Sequence, residues 1–224
     1  MTALATPIPA PAQRRPTKIA AIGMTVTAAV LALAGAIALA GNLFRDGGGY
    51  FNTPTKAFTS HGYAIAMKSV DVSDAPSWVF GRHGINSIRV KAYGDRPLFL
   101  GIARAGDIDR YLRGTNHEDV SGLTYYPFHV SYDHVNGLAP RNPPANESFW
   151  AKSARGSGSL TLAWKPRPGN WRAIVMNADG SREITASMQF GARTPLLKWI
   201  GAALLGLALL AAAIAAALHR RARP

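Results

Sequence analysis

The chain has 224 residues, with 25 Lys/Arg against 12 Asp/Glu, a formal charge of +13 and no cysteine. That length accommodates one medium domain or two small ones, and the lack of cysteine excludes a disulfide scaffold, a zinc ribbon, a thiol nucleophile and a Cys-ligated cluster. With 48% hydrophobic residues and neither heptads nor a short repeat, collagen, coiled-coil and disordered chains are excluded as well.

The mean hydropathy of +0.02 averages two apolar blocks with a polar middle. Residues 1–18 are Pro/Ala-rich without apolar periodicity and read as a cytoplasmic tail. Residues 19–44 carry no charge. As a helix at ~1.5 Å per residue they reach roughly 39 Å, more than a ~30 Å hydrocarbon core requires. Trp199 to Leu218 is a second uncharged run, and the second span is placed at 196–218, followed by a basic tail at 219–224. Neither run has a polar face, which distinguishes both from the core helix of a soluble protein. Ala38-Leu39-Ala40 before Gly41 also fits a secretory cleavage pattern, with cleavage after Ala40. The apolar run is longer than a signal h-region, so retention of the span is the reading taken.

Arg14, Arg15 and Lys18 precede the first span, and Arg220, Arg221 and Arg223 follow the second. Basic residues beside a span stay cytoplasmic, and two spans place both termini on one side. The expected topology is two-pass in the plasma membrane, with both termini inside and residues 45–195 outside. Along the spans, Ala28, Ala32, Ala36 and Ala40 recur every fourth residue, as do Ala208, Ala212 and Ala216. Such rows form a smooth seam for close helix approach.

Residues 45–195 hold 18 basic residues and all 12 acids, a net +6. In Ser87–Tyr93 the apolar Ile88, Val90 and Ala92 alternate with Ser87, Arg89 and Lys91, the pattern of a half-buried strand. Gly94-Asp95-Arg96-Pro97 reads as a turn, and the apolar run Leu98–Ala103 as a central strand. Further strands are expected at His61–Lys68, Phe128–His134, Leu160–Trp164, Trp171–Asn177 and Glu183–Phe190, with Trp150, Trp164 and Trp171 in the core. Only Asp107–Arg113 reads as helical. The expected fold is mainly β: an antiparallel β-sandwich-like extracytoplasmic domain flanked by two transmembrane helices.

Candidate ligand residues are few. Asp107 and Asp109 are two carboxylates behind a strand, but a hard cation needs six or more oxygens, and an N-cap role is favoured for Asp107. Asn177 and Asp179 offer polar groups in a loop, and with Gly180 they also suit a hairpin between the last two strands. The histidines at 61, 83, 117, 129 and 134 lack metal-binding spacing, so no metal site and no cofactor are expected. Arg155-Gly156-Ser157-Gly158-Ser159 is neither a nucleophile elbow nor a phosphate loop and reads as a tight turn or bulge. The basic residues run from Arg45 to Arg193 without a cluster, and topology disfavours nucleic acid.

The stretches FNTPTKAFTS (51–60), LFLGIARAGDIDRYLRG (98–114), FWAKSARGSGSLTLAWKP (149–166) and PGNWRAIVMNADGS (168–181) resemble an uncharacterised family of actinobacterial membrane proteins. The order of parts is similar too: N-terminal span, exported β-domain, C-terminal span, Arg-rich tail. The resemblance covers residues 19–221. It implies architecture and origin, and carries over no substrate and no catalytic residue.

The expected function is therefore binding or assembly: a bilayer-embedded protein displaying a β-domain to a membrane or envelope protein, a second copy of itself included. The alternatives are an envelope hydrolase with an acid pair that spacing does not reveal, or an accessory subunit of a transporter or secretion complex.

Overall fold

A computed structural model describes residues 15–221 except 75, 77, 78, 81–83 and 126. Arg14, His83 and Arg223 lie outside the described residues. The chain forms two compact units, one of the two terminal helices and one of Arg45–Pro195.

In the first unit, α1 (Arg15–Ala40) ends in a 3₁₀ turn at Gly41–Phe44, and α3 spans Leu196–Arg221. Their mean hydropathies over the candidate spans are 2.2 and 2.4, and both are long enough to cross a membrane. Thr25 and Thr27 of α1 donate to the carbonyls of Ala21 and Gly23, and Asn42 in the 3₁₀ turn donates its amide to those of Ala38 and Leu39. The helices pack antiparallel. A Cβ placed on Gly35 would lie 3.1 Å from the Gly201 carbonyl, and one on Gly201 would lie 3.2 Å from the Gly35 carbonyl.

The packing seam corrects the expected one. In α1 the buried positions are Ala21, Ala28 and Gly35, and in α3 they are Gly201, Ala208, Ala211 and Ala215. Ala32 is half-buried, whereas Ala36, Ala40, Ala212 and Ala216 are exposed. The spacing is seven residues rather than four. A 3.5-residue average period keeps one stripe in contact along a left-handed pair, whereas a strict i, i+4 row drifts around the helix and leaves the interface.

In the second unit, β5 (Ser87–Arg104) is the long central strand, and β8 (Lys152–Trp164) pairs antiparallel along nearly all of it. The other edge of β5 changes partner midway. Its first half pairs β10 (Ile184–Arg193) and its second half pairs β9 (Asn170–Asn177). The register shift falls between Gly94 and Leu98, opposite Gly158 (φ +74°) and Gly156 (φ +153°). The expected turn at 94–97 is thus a bulge inside one continuous strand, because β8 stays paired on both sides of it. Gly156 and Gly158 supply the matching backbone freedom, and the expected bulge at 155–159 is found there.

The remaining strands extend the two halves. β1 (Phe51–Asn52) and β2 (Lys56–Ser60) pair β10. β3 (Ile65–Ala66) and β4 (Val70–Asp71) pair β9. β6 (His117–Tyr125) pairs β3 in parallel and β7 (Phe128–Val135) antiparallel. The sheet is therefore mixed, through this one parallel ladder. It also curls: Phe58 of β2 meets Phe128 of β7 edge to face at 6.0 Å, although their strands belong to opposite arms. The main core lies inside the curl, with Phe58, Leu98, Leu100, Leu162, Val175 and Met188 buried. Trp164 and Trp171 pack together there at 4.9 Å. A smaller core on the outer face sits under α2 (Ala105–Tyr111), where Ile108 and Leu112 cover Ala64, Ala66, Ala103 and Ile174. β5 residues 98–103 are thus buried on both faces, as a continuous apolar run requires.

Candidate functional site

The chain passes from β5 straight into α2, so the buried Ile108 and Leu112 orient the short helix on the sheet. Positions at i, i+3 and i+4 then share the opposite face. Asp107 and Arg110 stand on that face and Tyr111 at its edge, where it also packs on the small core, with Arg113 and Gly114 just beyond the helix. Across from them runs the Pro-rich segment carrying Arg141, Asn142, Glu147 and Phe149. Together they line a cleft of about 590 Å³. The cleft has a stiff frame. The Tyr111 hydroxyl donates to the Asn142 carbonyl at 2.9 Å, and Trp150 Nε1 donates to the Pro144 carbonyl at 2.8 Å. Phe149 stacks between Trp150 (4.3 Å) and Tyr111 (5.8 Å). Burial, with the nearby Glu147 carboxylate, pushes the Tyr111 hydroxyl well above its ordinary range, so it stays protonated as a donor.

The charges in this cleft are unevenly paired. Arg110 Nη1 donates to Asp107 Oδ1 at 3.0 Å, and Asn142 donates to Glu147 Oε1 at 3.1 Å. Among the described residues Arg113 and Arg141 have no ion pair. Arg110 and Arg113, neighbours on one helical end, thus share a concavity with Arg141, which is distant in sequence. This corrects the reading of the domain's basic residues as unclustered. The only trace in sequence was Arg110 and Arg113 at i, i+3, since residue 141 reaches them through tertiary packing.

A second concavity opens at one end of the curl. It is an apolar cleft of about 160 Å³ walled by Met67, Val72, Phe80, Ile88, Trp164, Trp171 and Phe190, with Val70 exposed at its rim. Lys68 and Arg172 are its charged lining groups. Arg172 is fully committed: it donates to Asp109 at 2.5 Å, to Asp119, and to the Met67 carbonyl at 2.9 Å. The buried His117 adds Nε2 at 3.3 Å from Asp119.

The four candidate ligand residues do not converge. Asp107 faces the polar cleft, and Asp109 holds Arg172 elsewhere. Asp107 is not the N-cap, because α2 starts two residues earlier, with Arg104 at the cap and no side-chain capping bond. Asn177 is buried and donates to the 181–183 segment, while Asp179 Oδ1 accepts the Ser181 amide at 2.9 Å. The segment between them is not a hairpin. β9 and β10 run along the same edge of β5, each antiparallel to it, and residues 178–183 carry the chain past the β5 bulge. The Asp-Gly pair marked a tight turn correctly but did not say which strands it joins. Among the described residues no group of three or more His, Asp or Glu is positioned to hold a metal. Compared with models of protein families and with curated proteins, the chain matches none.

Proposed function

We propose that the protein is a two-pass plasma-membrane protein with both termini cytoplasmic, displaying residues 45–195 outside as a binding or assembly module for an envelope partner. The observation that carries the membrane reading is the inside-out helix pair. Its buried positions are alanine and glycine, with Leu39, Leu197 and Leu205 packed over the glycines, while thirteen large apolar side chains of α1 and α3 are exposed, among them Leu33 (64% exposed) and Leu209 (73%). In water, at roughly 2 kcal/mol per exposed side chain, such an arrangement forgoes on the order of 20–30 kcal/mol, beyond the net stability of a typical domain. In lipid it forgoes nothing, because acyl chains solvate those side chains while small residues permit close packing.

The ends of the β-domain fit the same topology. Arg45 donates to the Thr194 carbonyl at 2.6 Å, so the domain's first and last residues lie side by side, as a return to one membrane face requires. Asp46, Asn52, Tyr50 and Arg89 knot this region: the Arg89 guanidinium bonds Asp46 and Asn52 and covers the Tyr50 ring at 3.9 Å. The curled sheet is read as sandwich-like, its β2/β10 arm facing its β6/β7 arm across the core. The open apolar cleft beside Trp164 and Trp171 is the surface on which a partner would seat an apolar group.

The test uses the absence of native cysteine. With single cysteines at Ser157 and at Ala12, which lies outside the described residues, a membrane-impermeant maleimide on whole cells labels the first and spares the second. Labelling of Ala12→Cys alone inverts the topology, and loss of residue 12 from the mature chain replaces two spans with one. A photo-crosslinker at Val70 then gives a position-specific adduct that one at Arg155 does not, and equal adducts from both remove the cleft from the proposal.

A further inference from the structure

We infer that the polar cleft between α2 and residues 141–149 is a binding site for a hydroxyl-bearing phosphate ester, a site independent of which side of a membrane the domain faces. The argument begins with charge. Asp107 occupies Arg110, which leaves Arg113 and Arg141 as two unpaired guanidiniums at one concavity. A guanidinium presents a planar fork of donors that matches two oxygens of a phosphate at once, and it stays charged at every accessible pH. Two such forks, on separate side chains, suit the non-bridging oxygens of a tetrahedral phosphate, three in a monoester and two in a diester, better than a single planar carboxylate.

The rest of the wall selects the ester over the bare ion. Glu147 accepts from Asn142 and carries acceptor capacity for a ligand hydroxyl, and Phe149 and Tyr111 offer an apolar side for a carbon skeleton. Glu147 also disfavours an anion that fills the whole cleft, so the ester's phosphate is assigned to Arg113 and Arg141 and its hydroxyl to Glu147. The volume of about 590 Å³ is that of a small-ligand site. The bonds from Tyr111 to Asn142 and from Trp150 to Pro144 fix the two walls before any ligand arrives, which lowers the ordering cost of binding. The same chemistry exists free, as glycerol phosphate, and in a phosphatidylglycerol headgroup.

The experiment uses the full chain in a neutral detergent. Isothermal titration with sn-glycerol 3-phosphate and with glycerol tests the free ester, and native mass spectrometry counts retained phosphatidylglycerol against phosphatidylcholine. We expect one of the two phosphate probes to bind and glycerol and phosphatidylcholine not to. Arg113→Gln with Arg141→Gln should weaken that binding by at least about tenfold, the scale of one charge-assisted hydrogen bond. Lys152→Gln with Arg155→Gln removes the same charge from exposed positions elsewhere and should leave binding unchanged. Binding of glycerol phosphate identifies a soluble source, and selective retention of phosphatidylglycerol alone identifies a lipid one. No binding of either probe by the parent overturns the site, as does equal binding by the two double variants. Equal affinity for inorganic phosphate overturns the assignment of an ester.

Discussion

Asn177 is the residue at which a small chemical change should have a large and diagnostic effect. It ends β9 and is 1% exposed, and its Nδ2 lies 3.0–3.3 Å from the carbonyls of Ser181, Arg182 and Glu183. Those bonds hold the segment that bypasses the β5 bulge, where Glu183 sits at φ 62° without being glycine. Asn177→Ala removes both amide hydrogens and leaves part-buried carbonyls without their donor. Two net hydrogen bonds at about 1 kcal/mol each, with part of the desolvation penalty, give a loss of roughly 2–3 kcal/mol. For a domain of this size that lowers Tm by roughly 5–10 °C. Asn177→Asp should be worse at neutral pH, because a carboxylate oxygen replaces the donors among carbonyl oxygens. Its folded pKa would then be raised above the unfolded value, so the penalty is full above the folded pKa and shrinks as pH falls toward the unfolded one. The assay is thermal unfolding of the full chain and both variants in detergent, followed by tryptophan fluorescence at neutral and mildly acidic pH. If Asn177→Asp is as stable as Asn177→Ala at neutral pH, or if the gap between them does not narrow on acidification, the donor argument is wrong.

The helix pair makes its own prediction: a disulfide between Ala28→Cys and Ala208→Cys should form, be lost on adding Gly35→Leu, and survive Ala36→Leu. The packing difference is about 1 kcal/mol, the scale of helix contacts in membranes, and loss of the crosslink with Ala36→Leu would restore the four-residue seam. A second prediction concerns pH. The His134 pKa is raised from its ordinary 6.5, chiefly by the hydrogen bond to Glu118, so its contribution is present below that value and is lost as pH rises through the folded pKa. His134→Gln should therefore remove an alkaline slope in Tm, and an unchanged slope would exclude the pair. Asp46 is held well below the carboxylate range by Arg89, with help from the Tyr50 amide and Asn52, so its contribution is present above 3.8 and is lost as pH falls through the folded pKa. Asp46→Asn should flatten the acid limb of the same curve, and a parent-like acid limb would argue against that linkage.

Local pattern was readable wherever one element decides its own structure. Alternation in 87–92 marked a strand but not its wet face, since Ser87 and Arg89, the expected polar side, are buried by the Tyr50 and Asp46 contacts, whereas the unbroken run 98–103 marked a strand covered on both faces. What lay beyond reading was partner choice. Gly94 to Pro97 has the composition of a turn, and only β8, about sixty residues further on, holds both sides together as one bent strand. Asp179-Gly180 has hairpin chemistry, yet its flanking strands lie end to end on β5. In the two terminal helices, alanine is frequent enough to satisfy a period of four and a period of seven at once. The choice between them belongs to the crossing geometry of two helices, which a single helix does not encode. The arginine cleft was hidden for the same reason, since residues 110–114 and 141–149 meet only through the fold.

The net charge of the β-domain gains a location from this accounting. Its acids are largely spent on construction: Asp46 on Arg89, Asp109 and Asp119 on Arg172, Glu118 on His134, and Asp71 and Asp179 on turns at Ser73 and Ser181. Among the described carboxyls, Asp46, Asp71 and Asp179 are displaced in pKa, all downward, by hydrogen bonds to the ionised form. A general acid needs the opposite displacement, so at these positions the acid chemistry is structural. Scaffolding of this kind consumes carboxylates and a few inward arginines, Arg89 and Arg172 above all. It leaves the surplus positive charge on side chains such as Arg113 and Arg141, whose forks face a cleft rather than a partner. In the proposed phosphate-ester site these two guanidiniums are the charges that an anion would meet first.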